Sequence, residues 1–159
     1  MEKLLKILSE NARVSLEDLA AMLGVAPAEA ARMMDECEKN GLIHGYQALV
    51  DWEKADVSHV QALIELRVTP KRDCGFDEVA GAVAQFEEVD SVMLMSGGYD
   101  LQVTIKGRSF QEIALFVAKR LSPLDDVLST ATSFVLRTYK RSGRLYQDEE
   151  TDDRECTVL

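Results

Sequence analysis

The 159-residue sequence has few residues of the kinds that build disulfide frameworks, metal centres and acid–base sites: three cysteines and two histidines. Cys37, Cys74 and Cys156 are odd in number and widely spaced, so we expect free thiols in a reducing cytoplasm rather than disulfides or a zinc site. His44 and His59 lie apart from each other and from the cysteines. We therefore expect no metal, no cofactor and no enzyme activity.

Long apolar runs and basic residues are also scarce. No uninterrupted apolar stretch approaches the ~18 residues that a membrane-spanning helix needs. The initial segment MEKLLKILSEN is typical of an amphipathic helix rather than a signal peptide. We therefore expect a cytoplasmic protein without a membrane partner. Lys and Arg total 18 against 28 Asp and Glu, which gives a net charge of −10.

The negative charge is concentrated at the two ends of the chain. Residues 1–58 and residues 146–159 each carry a net charge of −5, whereas residues 59–145 are neutral overall. The last segment contains the run DEETDDRE, which we interpret as a solvated acidic tail. An arm that competes with DNA or contacts a neighbouring subunit is the alternative interpretation.

The stretch Ser15–Ile43 has the pattern of a helix-turn-helix. An apolar face at helical spacing follows Ser15, which is placed to cap the first helix. Gly24 ends that helix because glycine enters the left-handed conformation cheaply, and Pro27 opens a second helix that ends at Asn40-Gly41. With an amphipathic helix before it and a short strand after it (Leu42–Val50), the motif predicts a winged-helix domain. An ordinary helical hairpin is the alternative.

The second half of the chain contains an internal repeat. The pattern of Phe76–Ala84 returns at Phe110–Ala118, 34 residues later, and each copy has the apolar spacing of an amphipathic helix. Strand patterns occur at Val60–Val68, Val89–Met95, Tyr99–Ile105 and Val127–Tyr139. The order strand, helix, strand, strand, helix, strand predicts a ferredoxin-like βαββαβ sandwich. Helices cover only one face of such a sheet, so we expect the open face to form a dimer.

These patterns predict an α+β protein built from consecutive segments. They are an N-terminal winged helix-turn-helix domain (1–51), a linker (52–58), a ferredoxin-like oligomerisation domain (59–145) and an acidic C-terminal tail (146–159). In this order and at this length the chain resembles the Lrp/AsnC family of bacterial and archaeal regulators. The resemblance rests on Leu19-Ala20…Leu23-Gly24-Val25…Pro27, on Asn40-Gly41-Leu42-Ile43…Gly45-Tyr46, and on Met95-Ser96-Gly97-Gly98-Tyr99-Asp100.

The resemblance implies a transcriptional regulator that binds double-stranded DNA and responds to a small effector, typically an amino acid. It also implies that the ferredoxin-like domain (59–145) is the effector-binding domain. It also implies homodimers that assemble further, often into octamers. Two other functions remain open. One is an amino-acid-sensing oligomer whose winged helix binds DNA weakly or not at all. The other is an enzyme, because siroheme decarboxylases resemble the same two-domain arrangement.

The resemblance places the DNA-binding surface on the second helix of the motif. The residues concerned are Ala28, Glu29, Arg32, Met33, Glu36 and Lys39. Relatives commonly carry basic residues on this face, whereas here residues 27–40 have a net charge of −2. Phosphate contacts supply most non-specific affinity for DNA, so this helix should bind weakly.

Three compensations for the missing charge are open. Glu29 could accept a hydrogen bond from a cytosine amino group. Phosphate contacts could come from Lys3, Lys6, Arg13, Lys39 and the wing. Several dimers acting on one DNA could sum weak contacts through multivalency, and this is the compensation we favour.

The effector site is expected at the loop formed by Ser96, Gly97, Gly98, Tyr99 and Asp100. A Gly-Gly turn lets the backbone approach a ligand and frees amides to bind a carboxylate, while the aspartate could pair with an α-ammonium group. Neutral hydrogen bonds could come from the last strand, through Thr130, Thr132 and Ser133. The alternative is a plain hairpin turn, with threonines present for their β-propensity.

Overall fold

The computed structural model describes residues 1–55, 57–70 and 75–146. The chain divides between Val50 and Asp51 into two compact units. The linker residue Asp56, Cys74, Cys156 and the tail residues 147–159 lie outside the described residues. Among the described residues, no helix is long and apolar enough to cross a bilayer, and no cluster of three metal-ligating side chains occurs.

The first unit consists of α1 (Glu2–Glu10), α2 (Leu16–Leu23) and α3 (Pro27–Lys39). The Ser15 hydroxyl caps α2 by accepting the Asp18 amide N–H at 3.1 Å. Gly24, with φ of 75°, ends α2 in the left-handed conformation, and Pro27 is the first residue of α3. The predicted helix-turn-helix and its start and stop signals are therefore confirmed.

One apolar core holds the three helices together. Leu4, Leu8, Leu19 and Cys37 are buried in a single cluster, with half-buried side chains packed around it. Burying a leucine-sized side chain contributes about 1.5–3 kcal/mol, so this cluster accounts for much of the unit's stability.

The strand predicted at Leu42–Val50 is wrong, because residues 43–50 adopt neither helix nor strand. A strand is stable only when its backbone groups pair with a neighbour. In the part of the first unit that is described, no segment pairs with this one. Leu42 and Tyr46 stay open to solvent, being 54% and 46% exposed, whereas Ile43 is half-buried against the core cluster.

The second unit contains a four-stranded antiparallel sheet and two helices. Its elements are β1 (Val60–Val68), α4 (Asp77–Ala84), β2 (Val89–Leu94), β3 (Leu101–Gly107), α5 (Phe110–Phe116) and β4 (Val127–Phe134). The strand order is β2-β3-β1-β4, with antiparallel neighbours throughout. This order confirms the predicted ferredoxin-like arrangement. A short hairpin follows, made of β5 (Lys140–Arg141) and β6 (Arg144–Leu145).

The first copy of the internal repeat forms α4, and the second forms α5 with the π-helical turn that extends it (Val117–Leu121). The two copies bury equivalent positions. Val79 and Val83 of the first copy correspond to Ile113 and Val117 of the second, and all four belong to one core cluster. The sheet contributes alternate residues to the same cluster, among them Ile64. Helices therefore pack on one face of the sheet, and the intervening residues of each strand form the open face.

Strand β4 is shorter than its sequence pattern predicts. The apolar run continues to Tyr139, but the strand ends at Phe134. Its ladder partner β1 begins at Val60, and the last bond between them runs from the Val135 amide to the Gln61 carbonyl at 2.8 Å. Beyond that point the chain has no partner strand, so its β-propensity is not realised.

Two glycines give a direct test of the packing of the second unit. A Cβ added at Gly107 would lie 2.9 Å from Ile113 Cγ1, whereas a Cβ at Gly81 would meet no atom within 4 Å. Gly107→Ala should therefore destabilise the protein by about 1–3 kcal/mol through overpacking. Gly81→Ala should stabilise it by about 0.5–1 kcal/mol, because it lies inside α4. Urea unfolding at matched protein concentration measures both, and equal effects would contradict the described contact.

Candidate DNA-binding surface and effector site

The exposed face of α3 contains most of the predicted DNA-binding residues. Ala28, Arg32, Glu36 and Lys39 recur at three- and four-residue spacing and are exposed. The prediction that Met33 lies on this face is wrong, because it is half-buried and packs against the core cluster. The reason is helical period: Met33 lies three residues after buried Ala30 and four before buried Cys37, on their side of the helix.

The guanidinium of Arg32 is held by a carboxylate of its own helix. Its Nη2 lies 2.7 Å from Glu29 Oε1, and its Nε donates to Glu29 Oε2 at 3.1 Å. The hydrogen bond and the charge of Arg32 lower the pKa of Glu29, and Glu29 in turn raises the pKa of Arg32, with a smaller contribution from Glu36. Both groups therefore stay ionised at neutral pH, and their charges cancel at the helix surface.

A second predicted phosphate contact is also engaged within the unit. Lys3 Nζ donates to the Met22 carbonyl at 2.6 Å, near the C-terminal end of α2, where a cation is favourable. The segment after α3 is tied back to that helix by a hydrogen bond from the Tyr46 hydroxyl to Glu38 Oε1 at 2.9 Å. Burial and this bond raise the pKa of Tyr46. Lys6 and Arg13 are exposed.

The loop between β2 and β3 is organised by Asp100. The Met95 amide donates to the Asp100 carbonyl at 2.8 Å and closes the loop. The Asp100 amide donates to the Leu66 carbonyl, and Oδ2 of its carboxylate accepts the Val68 amide N–H, both at 2.9 Å. These bonds delay the start of β3 to Leu101, two residues later than predicted. They also commit one oxygen of the carboxylate that was expected to bind an α-ammonium group.

Gly97 and Gly98 are not required by the fold itself. Neither has the positive φ that favours glycine, and a Cβ built on either would meet no atom within 4 Å. A left-handed backbone conformation is therefore not the reason for these residues. The space beside them is open.

An open cleft of about 400 Å³ lies beside this loop. The described residues that line it are Glu65, Arg67, Gly98, Tyr99, Ser129, Thr130 and Ala131. In the ladder between β1 and β4, Glu65 pairs with Ala131 and Arg67 with Ser129, so all four lie on the open face of the sheet. Sequence reasoning missed this charged pair. Two opposite charges at alternate positions of an otherwise apolar strand were the available signal.

The structure brings together only part of the predicted effector site. Gly98, Tyr99 and Thr130 line the cleft. The remaining predicted residues are not among its described lining: Ser96, Gly97, Asp100, Thr132 and Ser133. Side chains alternate along a strand, so Thr130 and Ser133 project from opposite faces of β4. Accordingly, Thr130 Oγ1 lies 3.3 Å from the Ser122 hydroxyl, just after α5 and its π-helical extension.

The hydrogen bonds of Asp100 lead to a stability prediction. Asp100→Ala leaves the Val68 amide without its acceptor and should lower the free energy of unfolding by about 1–3 kcal/mol. Asp100→Asn keeps an acceptor oxygen at the same place and should cost about 1 kcal/mol or less, the difference between a charged and a neutral acceptor. Chemical unfolding of both variants measures this. Equal losses would show that the bond to Val68 contributes nothing.

Comparison with known proteins matches both units of the chain. The Lrp/AsnC ligand-binding domain matches residues 61–145, and a winged helix-turn-helix DNA-binding domain matches residues 2–44. The uncharacterised HTH-type transcriptional regulator YugG of Bacillus subtilis is 46% identical over 153 residues, covering 96% of this chain and 92% of that protein. The leucine-responsive regulatory protein of Haemophilus influenzae is 27% identical over 143 residues, covering 90% and 86%.

Solved structures of similar proteins agree with the fold. A Neisseria meningitidis transcriptional regulator in complex with L-methionine is 25% identical, with a TM-score of 0.69 over 87% of this chain and 89% of that one. Escherichia coli AsnC is 21% identical, with a TM-score of 0.66 over 87% and 91%, and supports the fold alone. The named relatives of this chain are regulators, which points to a role other than catalysis. The chain belongs to the Lrp/AsnC family and is a transcriptional regulator with an N-terminal helix-turn-helix and a C-terminal ligand-binding domain.

Proposed function

We propose that this regulator binds a free amino acid in the cleft beside Gly98. The observation that carries the proposal is the pair of opposite charges, Arg67 and Glu65, on the cleft wall. A free amino acid presents an α-carboxylate, which suits the planar fork of a guanidinium, and an α-ammonium, which suits a carboxylate. The methionine complex of the Neisseria relative supports this class of ligand.

Two residues of the predicted site take changed roles in this proposal. Asp100, whose carboxylate is bonded to the Val68 amide, positions the loop, and Glu65 becomes the partner of the ammonium group. Gly98 contributes by having no side chain. Neither packing nor backbone conformation requires glycine at this position, and a Cβ there would project into open space. Tyr99 and Ser129 complete the wall with hydroxyl groups, whereas the Thr130 hydroxyl lies near Ser122 on the helix side of the sheet.

The proposed partner of the open sheet face is a second copy of the chain. Helices α4 and α5 pack on the other face, and the described part of this unit leaves the face of Leu63, Glu65 and Arg67 without a helix. A homodimer through this face, and larger assemblies such as an octamer, would place the cleft close to an interface between copies. A ligand bound there would then shift the assembly equilibrium by its differential affinity for the assembled state.

DNA binding by one copy is proposed to be weak and to depend on assembly. The exposed face of α3 is acidic, and its arginine is paired with Glu29. Several helix-turn-helix units on one DNA would add their contacts through a high effective concentration. The proposed location is the cytoplasm, where double-stranded DNA is the proposed partner. A sensor without DNA binding is the competing function, and it is supported if no genomic fragment is retarded at low salt with or without amino acids.

The effector proposal predicts a ligand-dependent thermal shift. An amino acid at about 100 times its Kd stabilises the folded state by about 2.7 kcal/mol. For a chain of this size that corresponds to a rise in Tm of about 5–10 °C. L-methionine is the first probe, followed by the other proteinogenic amino acids, with native mass measured in parallel.

Variants of the cleft make that test specific. Arg67→Gln and Gly98→Ala should abolish the shift, because one removes the carboxylate partner and the other fills the cleft. Gly97→Ala is the matched control, since it adds the same methyl group one residue outside the cleft lining. A shift that survives Arg67→Gln would move the ligand elsewhere.

The pair on α3 predicts that a single substitution will strengthen DNA binding. Glu29→Gln removes a negative charge and the ionic partner of Arg32, so that the guanidinium becomes available to phosphate. Affinity for a mixed-sequence duplex at about 50 mM salt should rise by about three- to tenfold. Fluorescence anisotropy measures the change. Glu87→Gln, the same charge change at an exposed position of the second unit, is the control.

The outcomes of that experiment separate the roles of Glu29. A loss of affinity would mean that the carboxylate reads a base, as an acceptor for cytosine. An unchanged affinity would mean that α3 does not approach the DNA.

A further inference from the structure

Residues 127–146 contain β4 and the hairpin that follows it, and they are strongly basic in an acidic chain. They contain Arg137, Lys140, Arg141 and Arg144 and no Asp or Glu, although the whole chain carries a net charge of −10. None of these cations lines the cleft or belongs to the core. Neither the hydrophobic core nor the proposed effector site therefore accounts for their concentration.

The cations are presented on a well-formed hairpin. Ser142 and Gly143 have φ of 46° and 79°, the two consecutive left-handed residues of a tight type I′ turn. The ladder extends past the two short strands, because the Tyr146 amide donates to the Tyr139 carbonyl at 3.0 Å. The Arg137 guanidinium lies 5.3 Å from the centre of the Tyr139 ring, a cation–π contact that steadies the base of the hairpin.

The register of the hairpin places like charges together. Arg141 lies directly opposite Arg144, and Lys140 opposite Leu145. Like charges at opposed positions of a hairpin repel each other. Lys140 and Arg144 are exposed. An anion that binds across these side chains would reduce the repulsion between them and stabilise the hairpin.

We infer that this basic hairpin, residues 137–146, contacts the phosphate backbone of DNA. The inference rests on the proposed DNA binding and deepens it. Phosphate contacts provide most of the sequence-independent affinity of DNA-binding proteins, and the acidic α3 with its paired Arg32 supplies little of it. The hairpin provides the missing positive charge from the second unit. It acts on any sequence, since it reaches phosphates rather than base edges.

The salt dependence of DNA affinity tests the inference. The full-length protein is titrated against a mixed-sequence duplex between about 50 and 200 mM salt. In this range each phosphate contact makes the negative slope of log K against log salt steeper by about 0.9. Lys140→Gln/Arg144→Gln should make that slope shallower by about 1–2 and reduce affinity at about 100 mM salt by at least about tenfold. The control, Arg108→Gln/Lys119→Gln, removes the same charge from exposed positions of the same unit and should leave the slope unchanged.

Each outcome has a separate meaning. If the wild-type protein retains no duplex at low salt, the proposed DNA binding fails. If it binds and the hairpin variant keeps the wild-type slope, the hairpin serves another partner, such as the chain's own acidic residues 148–155, and the inference is overturned. An equal fall in hairpin variant and control also overturns it, because net charge alone then explains the effect. Native mass at the assay concentration excludes an indirect effect through assembly: a changed mass in the hairpin variant counts against the inference.

Discussion

The two-residue period of strand β1 is the constraint on which the second unit depends. This strand lies inside the sheet, with β3 on one side and β4 on the other. Its residues Ala62, Ile64 and Leu66 are fully buried against the helices. The residues between them face the other way, and two of these, Glu65 and Arg67, line the cleft. Core and candidate site are thus two faces of one strand, and a shift in register by one residue would destroy both.

The loop that borders the cleft is attached to the same strand. The Asp100 carboxylate accepts a hydrogen bond from the Val68 amide N–H, and the Asp100 amide N–H donates to the Leu66 carbonyl. The position of Gly98 is therefore set by the end of β1 rather than by glycine conformation. This arrangement explains how an open loop without special backbone angles can stay in place beside the cleft.

Positive charge is concentrated in the second unit rather than on the helix that a helix-turn-helix domain is expected to present to DNA. The helix expected to meet DNA is acidic, and its arginine is neutralised by Glu29 at 2.7 Å. The concentrated positive charge lies instead in the hairpin after β4. In the proposed binding mode, the second unit supplies general affinity for DNA and the first discriminates among sequences. Weak individual contacts also make the bound state sensitive to the number of copies assembled.

Local signals in the sequence determined the helices and the order of the fold. Ser15, Gly24 and Pro27 act through bonds and dihedral angles within one turn, so their effect is legible without the rest of the chain. The repeat at Phe76 and Phe110 revealed two helices with the same buried face, and the order of elements indicated the family. The helix-turn-helix and the ferredoxin-like sheet were predictable for this reason.

The tertiary structure decided what depends on a distant partner. Leu42–Val50 has β-propensity but no neighbouring strand, and Met33 belongs to the core because of what packs against it. The bond from Val68 to Asp100 joins residues 32 positions apart, and no local pattern encodes it. The cleft likewise forms where β1 meets β4 and the loop before β3, three segments far apart in the chain. Short-range chemistry is written in the sequence, whereas pairing between remote segments appears only once the chain has folded.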